Sequence, residues 1–126
     1  MVVGVDDSDS CTRAIDGAFW FAHTLGLPLT ALHLDSHRHG PKAGGDRAPL
    51  DRLQKRIAPA ASGFADVTVH LHCIESSAEH ALVRASASAQ LVVVGSRGLG
   101  PITGPLRGSI GQSLVHSSHC PVLVVH

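Results

Sequence analysis

The chain of 126 residues has no tyrosine, one tryptophan and three phenylalanines, so aromatic residues make up 3% of it. Net charge is also lacking: ten Lys+Arg balance ten Asp+Glu. A neutral chain with so few lysines carries no footprint for nonspecific DNA or for an anionic membrane. No apolar run approaches the roughly 18 residues of a membrane span; those at 91–94 and 121–125 hold four or five. The opening MVVGVDDS turns acidic at once, unlike a secretory leader. Three cysteines, Cys11, Cys73 and Cys120, form no short paired spacing. They predict free thiols and a cytoplasmic setting rather than a disulfide framework.

What is present is a globular composition, 44% apolar and 16% charged, at a length that predicts one domain over residues 1–126. Val2–Val5 is a β-branched run that reads as a buried strand leaving the core at Asp6. Asp9 or Ser10 caps a predicted helix whose buried face is Ile15, Ala18, Phe19 and Ala22, and Gly26 stops it. Leu29–Leu34 is a second strand, and Ser36 to Pro49 a loop rich in glycine and charge. Leu50, Leu53 and Ile57 predict one face of a short helix ended or kinked by Pro59. Val67, Val69, Leu71 and Cys73 alternate with Thr68, His70 and His72, the pattern of a half-buried strand. Ser76 and Glu79 have capping-box spacing ahead of a helix carrying Ala78, Leu82, Ala85 and Ala89. Leu91–Val94 is a fourth strand, Gly95 to Gly108 a glycine-rich loop, and Ile110, Leu114 and Val115 line a last helix before a strand at Pro121–Val125.

Strand and helix alternate throughout. That order predicts an α/β domain with a doubly wound, five-stranded parallel sheet and helices on both faces. Ligands of such sheets sit beyond the carboxyl ends of the strands, where strand order reverses. Strands one and four are the expected neighbours there, which brings Asp6 next to Gly95.

The loop Gly95-Ser96-Arg97-Gly98-Leu99-Gly100-Pro101-Ile102-Thr103-Gly104-Pro105-Leu106-Arg107-Gly108-Ser109 runs from a strand into a helix. Glycines let main-chain amides approach a phosphate, and a helix start presents free N–H groups to an anion. It is not a Walker loop, which needs a lysine that is absent here. Nor is it the dinucleotide fingerprint: Thr103 stands where the third glycine belongs. On glycine content alone, a phosphate cradle and a plain surface loop remain open.

Gly95-x-x-Gly98 followed after nine residues by Gly108-Ser109 resembles the nucleotide-binding signature of the universal stress protein family. Val3-Gly4-Val5-Asp6-Asp7-Ser8 is similar to that family's opening strand and Asp-x-Ser turn. His33-Leu34 resembles the end of its second strand, and Leu91–Gly95 and Cys120–Val125 its last two strands. The resemblance implies an adenine nucleotide alpha hydrolase-like fold that binds ATP with a divalent ion such as Mg, often as a homodimer through the last strand, and that acts in stress response. It implies Val5, Asp6 and Ser8 near the ribose, the Leu34 backbone at the adenine edge, and Gly95 and Gly98 along ribose and phosphates, while the loop's own Arg97 or Arg107 offers charge for a triphosphate. Gly108, Ser109 and Ile110 would donate to phosphate oxygens. Asp7 stands where many relatives have glycine, Pro101 and Pro105 stiffen the loop, and Gln90 replaces a common acid. The chain begins directly at the first strand, as one half of a tandem protein or a trimmed chain would.

Other candidates have simpler readings. His37 and His39 suit a solvated loop, and His70 and His72 an exposed strand face. His116 and His119 suit a helix end, where a cation complements the dipole. Cys11 suits buried packing better than a reactive thiol, and Cys120 suits the core. Asp6 and Asp9 are explained by ribose contact and capping rather than by catalysis. No hydrolase serine elbow, zinc-helix or kinase motif is present. Two alternatives to a nucleotide switch stay open: a dimeric interaction domain without nucleotide, and an enzyme of slow ATP hydrolysis or self-phosphorylation.

Overall fold

A computed structural model describes residues 1–34, 48–97 and 109–126, with Leu34 and Ser109 described in their backbone alone. Five strands, β1 (Val2–Val5), β2 (Leu29–Leu34), β3 (Val69–Ile74), β4 (Val92–Gly95) and β5 (Val122–Val125), alternate with four helices, α1 (Asp9–Leu25), α2 (Ala48–Gly63), α3 (Ala78–Ser86) and α4 (Ser109–Ser117). The strands form one sheet in the order β3-β2-β1-β4-β5, every pair parallel. This is the doubly wound α/β arrangement the alternation predicts, with β1 and β4 side by side at the reversal of strand order.

The two faces of the sheet bury separate clusters. Val3, Val5, Leu29, Ala31 and Val93 meet Cys11, Ala14, Ile15, Ala18, Phe19 and Ala22 of α1 and Leu53, Ile57 and Ala60 of α2. Val2, Leu32, Val92 and Val94 meet Leu82 of α3 and Leu114 of α4. Central strands buried on both sides need no polar alternation, which is why β1 and β4 read as plain valine runs. On the edge strand β3 the alternation returns: His70 and His72 are exposed while Val69, Leu71 and Cys73 are partly buried. Gly26 closes α1 at φ 64°, its N–H donating to the Ala22 and His23 carbonyls. A left-handed residue is needed there, and glycine has no Cβ to strain.

Several local expectations are corrected. The helix cap of α1 is Ser8, not Asp9 or Ser10, and it makes no side-chain capping bond. α2 starts at Ala48, so Ala48 and Pro49 belong to the helix rather than to the preceding loop, and it runs on through Pro59 to Gly63. Its buried positions are Pro49, Leu53, Ile57 and Ala60, whereas Leu50 is exposed. Burying that face holds the helix together across one missing N–H; Ser62 Oγ donates to the Pro59 carbonyl at 2.7 Å. The Ser76–Glu79 capping box does not form. Ser77 is the cap, and Glu79 instead accepts a hydrogen bond from Ser113 Oγ of α4. α3 ends at Ser86, short of Ala89, although Ala89 still packs against the second cluster. Of the predicted Ile110, Leu114 and Val115, Leu114 is buried and Ile110 packs partly buried on the second cluster, whereas Val115 is exposed. His37 and His39 lie outside the described residues.

Candidate functional site

The β1–β4 ladder consists of Val2↔Val92 and Val3↔Val93, while β1 follows β2 as far as Val5↔His33 and β4 follows β5 as far as Gly95↔Val125. The two central strands therefore part at their carboxyl ends, and the start of α1 lies in the opening. A Cβ on Gly95 would sit 2.7 Å from Ser10 Oγ and 3.2 Å from the Ser10 carbonyl carbon. Only glycine lets strand β4 and helix α1 approach this closely. Gly95 thus has a packing role here that is independent of any ligand.

Asp6 stands just past β1. Its Oδ1 accepts from the Ser8 N–H at 2.9 Å and from Ser8 Oγ at 2.5 Å, an Asx turn that fixes the carboxylate. Its Oδ2 is buried and has no hydrogen-bond partner among the described residues. A buried carboxylate oxygen left open costs stability unless a donor fills it. Behind the turn, the Asp6 N–H donates to Cys11 Sγ at 3.4 Å. Burial pushes the Cys11 thiol up from its ordinary value, with the Asp6 N–H working in the opposite direction. Cys11 is buried, in keeping with the packing reading.

The entrance to the glycine loop is tied to the same turn. Ser8 Oγ and Ser10 Oγ each lie 2.8 Å from the Arg97 carbonyl, and the Arg97 N–H donates to Ser10 Oγ at 3.1 Å. Ser10 is buried, so both main-chain polar groups of Arg97 are satisfied by the protein itself while its side chain is exposed. The structure thus brings Asp6, Ser8, Gly95 and Arg97 together, with Val5 fully buried beneath them. The backbone of Leu34 ends the neighbouring strand, paired with Ile74. Ile110 lies in the first turn of α4 and its side chain packs on the second cluster. Gly98 and Gly108 lie outside the described residues, as does the side chain of Ser109.

Two further residues belong to this constellation without having been predicted. Ser10 was read only as a possible cap; its position two residues after Ser8, at a helix start beside a strand-ending glycine, was the available signal. Arg56 comes from α2 and donates through Nη2 to the Ser8 carbonyl. Nothing in the sequence links it to a turn 48 residues away.

The profile of the universal stress protein family matches residues 1–126. The chain belongs to the universal stress protein family. A universal stress protein of Mycolicibacterium smegmatis is 32% identical over 139 residues, covering 100% of this chain and 47% of that protein. Universal stress protein Rv2005c of Mycobacterium tuberculosis is 35% identical over 131 residues, covering 98% of this chain and 44% of its own length. This chain therefore spans about half the length of these curated relatives. Among solved structures, a universal stress protein crystallised in complex with cAMP is 29% identical, with a TM-score of 0.74 over 99% of this chain and 94% of that one. The family resemblance carried by Asp6-Asp7-Ser8 and Gly95-x-x-Gly98 thus extends to the whole sheet. No described helix is long and apolar enough to cross a membrane.

Proposed function

We propose that this chain is an adenine-nucleotide-binding module of the universal stress type, taking ATP with Mg at the parting of β1 and β4. The observation that carries the reading is the open Oδ2 of Asp6, a buried acceptor at the carboxyl end of a central strand. A ribose hydroxyl is the donor such an oxygen calls for, and the likeness to a cAMP-bound protein supports a nucleotide as its source. Val5, Asp6, Ser8 and the Leu34 backbone would face the nucleoside. Gly95, Arg97, Gly98, Gly108, Ser109 and Ile110 would face the phosphates, where N–H groups at the start of α4 offer a positive dipole end. Among the described residues no group of three His, Cys, Asp or Glu side chains could hold a metal. The ion would accordingly be carried by phosphate oxygens and water. Nucleotide occupancy then acts as a cytoplasmic stress-response switch on a partner surface, with chemistry secondary. The edge strand β5 favours a homodimer: four apolar residues, Val122, Leu123, Val124 and Val125, all remain partly exposed.

The test is thermal melting with and without Mg-ATP. Ligand at about 100 times its Kd adds roughly 2.7 kcal/mol, which is several degrees for a domain of this size. Asp6→Asn should reduce the shift and Gly108→Val should abolish it. An unshifted wild-type protein, with no nucleotide found in it by mass spectrometry, would favour the interaction domain without nucleotide. Loss of γ-phosphate on incubation would favour the enzyme.

A further inference from the structure

Ser8 is the point on which the Asp6 turn is held, and it is gripped from two sides. Its N–H and hydroxyl bond Asp6 Oδ1. Its carbonyl accepts from the Cys11 N–H at 3.2 Å, as the start of α1 requires, and also from Arg56 Nη2. The second contact is not local. Arg56 lies in the middle of α2, a helix whose buried face otherwise packs on the sheet through Leu53, Ile57 and Ala60.

Arg56 and Asp6 do not pair directly: the one ion pair among the described residues is His23–Asp66. Both nevertheless bury an atom without a hydrogen-bond partner, Nε of Arg56 and Oδ2 of Asp6. A guanidinium that only covered apolar surface would lie along it with its head in water. This one instead directs its head to the Ser8 carbonyl and against the Cys11 thiol, with one N–H buried and unspent, a placement that costs stability.

We propose that Arg56 is a positioning residue of the nucleotide site: by holding the Ser8 carbonyl from α2, it fixes the turn that aims the open Asp6 oxygen at the sugar hydroxyls of a nucleoside. The inference rests on the nucleotide reading above. It predicts that Arg56 acts through Asp6 and not on the phosphates. Removing it should weaken adenosine and Mg-ATP by the same factor.

The experiment is titration calorimetry of Mg-ATP and of adenosine with wild type, Arg56→Met, Arg56→Lys, Asp6→Asn and the Arg56→Met/Asp6→Asn double variant, each checked for folding by circular dichroism. Arg56→Met keeps the aliphatic stem and loses every donor; it should raise both Kd values about tenfold, the worth of one charge-assisted hydrogen bond. Arg56→Lys keeps a donor and should stay within about threefold. In the Asp6→Asn background, Arg56→Met should change Kd less than about twofold, because residues acting as a unit are not additive. Unchanged affinity in folded Arg56→Met overturns the proposal, as does a loss confined to Mg-ATP or a full additive loss in the double variant. If Arg56→Met does not fold, Arg56→Gln replaces it; should neither fold, the role is structural and the proposal falls. A wild-type protein that binds neither ligand removes the nucleotide reading as well, whereas wild-type binding with an indifferent Arg56→Met removes this proposal alone.

Discussion

The two faces of the sheet are built on different scales. Among the described residues, one is covered by α1 and α2, of 17 and 16 residues, and its cluster gathers 15 buried residues around Phe19 and Ile15. The other is covered by α3 and α4, nine residues each, and its cluster gathers six buried described residues. On the thin face, hydrogen bonds between neighbouring segments supplement the packing: Ser113 to Glu79, and the His119 N–H to Ser86 Oγ at 3.0 Å. Asp6, Ser8, Ser10 and the clamped Arg97 backbone are all tied to α1, on the thick face. α4, which starts the proposed phosphate end, rests on the thin one. The proposed nucleoside half is therefore tied to the larger described cluster and the proposed phosphate half to the smaller one.

That contrast can be broken or sharpened by substitution. Phe19→Ala empties the centre of the thick cluster and should cost about 4 kcal/mol, whereas Leu114→Ala on the thin face should cost about 3 kcal/mol. Urea denaturation compares the two, and a larger loss at Leu114 would reverse the ranking of the faces. Gly95→Ala forces a Cβ against Ser10 where strand and helix meet; the expected cost is about 2 kcal/mol, seen in the same unfolding curves. Ser10→Ala removes both bonds to the Arg97 main chain and should cost about 1 kcal/mol, with faster amide exchange at Arg97 but not in α3. The smallest effect belongs to the surface pair His23–Asp66, 2.7 Å apart and more than half exposed on both sides. The His23 hydrogen bond holds the Asp66 carboxyl below its ordinary value. A depressed carboxylate stabilises the fold above the unfolded pKa and loses that contribution as pH falls through the folded one. The difference in melting temperature between wild type and Asp66→Asn should therefore shrink at acid pH and stay constant near neutrality.

Much of the fold was legible because the elements on the thick face announce themselves. Ile15, Ala18, Phe19 and Ala22 keep helical spacing and Gly26 ends the helix where a left-handed residue is needed. The errors fell where local signals compete with burial. Pro59 reads as a helix end, yet Leu53, Ile57 and Ala60 bury one continuous face on either side of it. Ser76 and Glu79 have the right spacing for a cap, yet Glu79 is used by a neighbouring helix. At the site, Asp6, Ser8 and Gly95 could be picked from short motifs. Ser10 showed only as a serine at a helix start and Arg56 not at all, since the bonds that recruit them run to residues 87 and 48 positions away.

The sequence by itself determined the order of strands and helices, the doubly wound sheet and the two short motifs at its switch point, because periodicity, glycine and β-branching act locally. Only the tertiary structure decided which side chains hold those motifs in place. Parallel strands bring distant segments to one edge of the sheet, and hydrogen bonds there depend on approach in space rather than on spacing along the chain. The open oxygen of Asp6, the clamp on Arg97 and the reach of Arg56 come from that assembly.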